Sequence, residues 1–132
     1  MLIKVISFYP ERVKKHQANW KQYGELEVIK TTEDLVTSHH EVSWRARKEQ
    51  WDETVIVMQD DVVIDKAFPE HVGRVTAYAR KSDSHVCPLI FTATPAGWHK
   101  IEFLFRTRLG TDGICPRFRP DHVYADVAHH EE

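Results

Sequence analysis

A chain of 132 residues is one domain's worth, long enough to bury a real core but with little room for a second one. With 42% hydrophobic residues and a net charge of −2, it reads as globular, and its charge gives no electrostatic reason to expect a nucleic-acid or membrane partner. Cys87 and Cys115 are too few for a disulfide framework or a zinc site; each precedes a proline, and both read as buried free thiols, with a single disulfide as the alternative.

The amino terminus, residues 2–8, is an apolar run interrupted only by Lys4 and Ser7. It predicts a first strand and lacks the long apolar core of a signal peptide, and no stretch approaches the length needed to cross a bilayer. The expected compartment is therefore the cytoplasm. Pro10 suits the first turn of a helix that should run to about residue 23 and end at Gly24, with Val13, Gln17 and Trp20 on one face. Residues 26–30 predict a second strand.

Ser38-His39-His40-Glu41 has the form of a capping box, and a helix should follow to Trp51, with His39 and His40 as surface residues. Residues 55–58, Val-Ile-Val-Met, form a short and wholly apolar run. Such a run fits a strand buried on both faces, as the centre of a parallel sheet requires. Two adjacent acids, Asp60 and Asp61, then stand where that strand leaves the sheet. Ligand crevices of open α/β sheets lie at the carboxyl ends of strands, so these carboxylates are placed to hold a cation or a polar ligand; alternatively they only open a turn. Phe68, Val72, Val75 and Ala79 mark an amphipathic helix with Pro69 in its first turn.

Residues 86–93 predict a further strand, interrupted by Pro88. Beyond it, 94–97 reads as a loop, 98–107 as either strand or helix with strand favoured over 101–106, 110–113 as a turn, and 116–132 as a segment wrapping over the surface. The expected fold is α/β, a small single domain with a mostly parallel central sheet flanked by helices. Residues 1–95 would form its ligand-binding core and 96–132 a basic, loop-rich acceptor-side or closing segment.

The stretch 51–68, with Gln59-Asp60-Asp61 after an apolar strand and a helix opening near Phe68-Pro69, resembles the Asp-x-Asp region of nucleotide-sugar glycosyltransferases with the GT-A fold. The resemblance extends back to the first strand. It implies a Rossmann-like, nucleotide-sugar-binding fold and transfer of a sugar from a nucleoside-diphosphate donor. It also implies a divalent cofactor, Mn²⁺ or Mg²⁺, with Asp61 as its ligand and Asp60 near the donor ribose or sugar. Gln59 stands where an acid is usual; it can still hydrogen-bond a ribose hydroxyl, but it brings no charge to a metal. Ser7 and Tyr9 match positions beside the nucleotide base. A downstream histidine often adds a metal ligand in this fold, and His122, His129 and His130 are candidates, His129 being chosen.

Trp98, expected on a loop, could stack on a sugar or base. Lys100, Arg106, Arg108, Arg117 and Arg119 stand against Glu102 and Asp112 in their segment. Arg106 and Arg108 are therefore expected to meet the donor's phosphates, and the whole stretch to guide a polyanion. An inverting mechanism needs a carboxylate base, for which Asp126 is the first choice and Asp112 the second. The short chain would suit a minimal enzyme, viral or phage-borne, acting on nucleic acid or a glycan, or a unit completed by self-association. The alternatives are a nucleotide-sugar-binding module without turnover and a metal-dependent phosphoryl-transfer or hydrolytic enzyme.

Overall fold

The computed structural model describes residues 1–32, 34–87, 90–110 and 119–128. Five strands, β1 (Leu2–Ser7), β2 (Glu25–Lys30), β3 (Val55–Gln59), β4 (Ser84–Cys87) and β5 (Ile90–Ala93), form one sheet in the order β2-β1-β3-β5-β4. Among the described residues five helices accompany them: α1 (Pro10–Lys21), α2 (Leu35–Glu49), α3 (Phe68–Ser82), α4 (Pro95–Gly110) and α5 (Pro120–Ala128).

Period-2 alternation along the strands divides the core in two. Ile3, Val5, Ile56, Met58 and Ile90 face α1 and α3, meeting Trp20, Phe68 and Val72. Ile6, Val55, Val57, Phe91 and Ala93 face α2, α4 and α5, meeting Ala46, Trp98, Phe105 and Tyr124. Residues 55–58 of β3 are buried on both faces, as an uninterrupted apolar run demands. Each such side chain contributes about 1.5–3 kcal/mol of transfer free energy, so the central strand is the firmest part of the sheet.

The sheet is mixed, not mostly parallel. β1 pairs in parallel with β2 and β3, whereas β5 runs antiparallel to both β3 and β4. The expected single strand over 86–93 is two strands, β4 and β5, separated by two residues. A parallel crossover needs a dozen or more residues, so so short a link compels reversal.

The carboxyl-terminal part differs most from expectation. Residues 101–106, predicted as a strand, belong to α4. Ile101, Phe103 and Phe105 alternate as a strand would, but Trp98, Ile101 and Phe105 also recur at helical spacing, and these three are fully buried while Phe103 is 55% exposed. Trp98 is thus not on a loop. Thr94 Oγ1 accepts from Gly97 N at 3.0 Å in the first turn of α4. Gly97 also presses on the chain: a β-carbon there would lie 1.9 Å from Asp83 O, so only glycine fits. Over Pro120–Ala128, α5 takes the place of the expected surface wrap, because Val123, Tyr124 and Val127 form a buried stripe.

α2 begins at Leu35, ahead of the expected capping box. Asp34 is its cap, with Oδ1 accepting from Val36 N at 3.1 Å and Oδ2 from the Thr37 hydroxyl at 2.6 Å. Ser38 lies inside the helix and donates back to Asp34 O at 2.9 Å. His39, expected on the surface, is fully buried. Trp51 lies beyond the end of α2, buried edge-on against Trp98 at 5.9 Å. No helix among the described residues is long and apolar enough to cross a membrane.

Candidate functional site

The carboxyl ends of β1, β2 and β3 meet at one end of the sheet. Ladder register aligns Ser7 with Lys30 and Ile6 with Gln59, so Lys30, Ser7 and Asp60 stand abreast there. The chain leaving β1 enters α1 on one face, and the chain leaving its neighbour β2 enters α2 on the other. Such opposed exits open ligand crevices in α/β sheets.

Asp60 is the buried centre of this end, only 7% exposed. Ser7 Oγ donates to its Oδ2 at 2.8 Å, and Arg12 Nη1 donates to Oδ1 at 3.2 Å. A buried carboxylate needs such partners, since an unpaired one would cost several kcal/mol. Arg12 reaches it from the first turn of α1, where Pro10 starts the helix one residue after Tyr9. Its guanidinium lies over the Tyr9 ring, 4.4 Å from the centroid. The hydrogen bond to Asp60 holds the Arg12 pKa above its ordinary value, so this cation does not titrate.

The loop after the acids is tied to α1. Trp20 Nε1 donates to Val62 O at 2.7 Å, while the Asn19 side chain donates to Ile64 O at 2.7 Å and accepts from Ile64 N at 2.8 Å. Both backbone groups of Ile64 are thereby satisfied without regular structure. Asp61 lies exposed at the start of this loop, and Gln59 is half-buried.

Of the residues expected to act together, the fold gathers Ser7, Tyr9, Gln59, Asp60 and Asp61 at this end. It places the others elsewhere. Trp98 is fully buried in the core, edge-on to Trp51 and Tyr124. Arg106 pairs with Glu102 at 3.3 Å, and Arg108 pairs with Asp126, all on helices of the opposite face. Lys100 pairs with Asp83 at 2.6 Å and Arg119 with Asp121 at 3.1 Å. The expected basic stretch is therefore neutralised, cation by cation, where it is described. His122 is exposed on α5. Asp112, Cys115, Arg117, His129 and His130 lie outside the described residues, as does Pro88.

A divalent cation fits this group poorly. Mg²⁺ and Mn²⁺ favour clustered anionic oxygens, yet Asp60 already carries the Arg12 cation on one oxygen and the Ser7 hydroxyl on the other. Gln59 is neutral, and Asp61 shares its surroundings with the Arg12 charge. No three His, Cys, Asp or Glu side chains among the described residues are placed to hold a metal ion. Among the described residues, surface cavities lie elsewhere, among them a groove of about 560 Å³ along α2, with Ile29, Trp44 and Lys48 in its wall, and one of about 380 Å³ between α4 and α5, with Asp126 in its wall.

Arg12 and Lys30 are the residues that motif reading passed over. The signal was available in part: Arg12 follows Pro10 in a helix start, and Lys30 ends a strand. No known protein family, characterised protein or solved structure matches the chain.

Proposed function

We propose that this protein binds a nucleoside-diphosphate sugar at the carboxyl end of its sheet and transfers the sugar to an acceptor, as a small glycosyltransferase with a GT-A-like donor fold. The reading is carried by Asp60, a buried carboxylate locked between Ser7 of β1 and Arg12 of α1 at the end of the central strand. A carboxylate so fixed presents an acceptor edge of defined direction, which suits the hydroxyls of a ribose or hexose. Tyr9 and the exposed Phe8, their rings 5.2 Å apart and edge-to-face, supply an apolar aromatic wall beside it for a base or sugar.

Bond cleavage would leave negative charge on the departing diphosphate, which the cations around this end would stabilise electrostatically. One observation favours binding without turnover as the second reading: Asp126, the first choice for a base, is already paired with Arg108.

Thermal unfolding with a panel of nucleotide sugars tests the proposal. A ligand at a hundredfold excess over its Kd stabilises by about 2.7 kcal/mol, a shift of several degrees. Stabilisation by one nucleotide sugar, lost in Asp60→Ala, supports the site; release of nucleoside diphosphate from that sugar then selects the enzyme over the binding module. Phosphate release from simple phosphoesters, with no response to any nucleotide sugar, would replace the reading with a hydrolytic one.

A further inference from the structure

We infer that Arg12 and Lys30, rather than a divalent metal ion, hold the diphosphate of the ligand. This rests on the proposed nucleotide-sugar reading and departs from the metal dependence that the Gln59-Asp60-Asp61 resemblance implies.

Four observations converge on it. Each Asp60 oxygen already accepts one hydrogen bond, from Ser7 at one and from Arg12 at the other, so a dication placed there would sit against the Arg12 guanidinium. Gln59 removes the charge that a third acid would bring. Arg12 is itself a permanent cation at the centre of the site; its side chain is 48% exposed and directs one of its several N–H donors to Asp60. Lys30 is exposed, and its backbone is paired with that of Ser7, so a second cation stands on the neighbouring strand, across Ser7 from Asp60.

A pyrophosphate laid across the ends of β1 and β2 would meet these two side chains, which flank Ser7 from either side. Arg12 can keep its bond to Asp60 while offering other N–H groups to phosphate oxygens, which a planar guanidinium accommodates in bidentate fashion. Asp60 then acts as the anchor that aims Arg12. A dication brought to Asp61, the residue next to Asp60, would instead stand near that guanidinium and meet its like charge.

Titration calorimetry of the full chain with uridine, guanosine, adenosine and cytidine diphosphates, and with the corresponding nucleosides, tests this in EDTA and again in Mn²⁺. One diphosphate should bind in EDTA, with Mn²⁺ changing its affinity by less than about twofold. Arg12→Gln and Lys30→Gln should each weaken it by about tenfold or more, collapsing the advantage of diphosphate over nucleoside, and Arg12→Lys should recover part of the loss. Binding that requires Mn²⁺, disappears in Asp61→Ala and is untouched by Arg12→Gln or Lys30→Gln would overturn the inference while leaving the nucleotide-sugar reading standing. Binding in EDTA that neither glutamine variant weakens would also overturn it. Failure of every diphosphate to bind under both conditions would remove both. Should Arg12→Gln not fold, Lys30→Gln, at an exposed strand end, carries the decision alone.

Discussion

His39 of α2 and Tyr124 of α5 meet in the core, with imidazole Nδ1 3.1 Å from the phenol oxygen, and both residues are fully buried. Phe91 and Phe105 enclose the imidazole, at ring-centroid distances of 4.8 and 6.4 Å. Burial pushes the His39 pKa down to about 3, against a weak upward pull from Asp121, and it pushes the Tyr124 phenol up.

That displacement makes His39 an acid-sensitive element. The unfolded chain binds its proton near the ordinary imidazole value of 6.5 and the folded chain only near 3. The stabilisation from neutral His39 is therefore complete above pH 6.5 and is lost as pH falls toward 3, by about 1.4 kcal/mol per pH unit inside that window. Urea denaturation between pH 7 and pH 4 should show this slope, and His39→Phe should flatten it. An unchanged slope in that variant would place the acid sensitivity on other groups.

Trp98 should behave as a core residue. Trp98→Ala removes a fully buried ring packed on Trp51 and Tyr124, so it should cost about 3–5 kcal/mol in chemical denaturation. Trp44→Ala, at a side chain 52% exposed, should cost less than about 1 kcal/mol. Comparable losses in the two variants would contradict the placement of Trp98.

Asn19 should govern the loop behind the acids. Its amide satisfies both the N–H and the C=O of Ile64, so Asn19→Leu should cost about 1–3 kcal/mol. Hydrogen exchange at the Ile64 amide should accelerate in that variant more than exchange at the centre of β3. Equal acceleration at both would indicate global destabilisation and no tether.

At Asp60 the buried charge is matched on both oxygens, so removing one partner leaves it short. Arg12→Ala should destabilise more at pH 7 than Asp60→Ala combined with Arg12→Ala does, because the double variant no longer buries an under-compensated carboxylate. A double-mutant cycle measured by denaturation checks the sign.

Much of the architecture could be read from local pattern. The uninterrupted apolar run at 55–58, the Pro10 and Pro69 helix starts and the stripe from Phe68 to Ala79 each describe their own element, because burial on two faces or one imposes a period on the residues themselves. The candidate site was legible to the same extent: Ser7, Tyr9, Gln59, Asp60 and Asp61 lie at strand ends, and those strands were recognisable. Residues 101–106 failed because their apolar positions satisfy periods of two and of 3.6 at once, and Ile101, Phe105, Val123 and Tyr124 resolve into helices only through each other's burial.

Sequence alone thus determined the α/β class, the buried central strand and the pair of acids at its end, all consequences of periodicity within a few neighbouring residues. The tertiary structure alone decided that β5 runs backwards, that His39 is enclosed, that the cations from Lys100 to Arg119 are spent on Asp83, Glu102, Asp126 and Asp121 where described, and that Arg12 closes on Asp60. These depend on contacts between residues far apart in the chain, where geometry and desolvation select among partners that composition leaves equivalent.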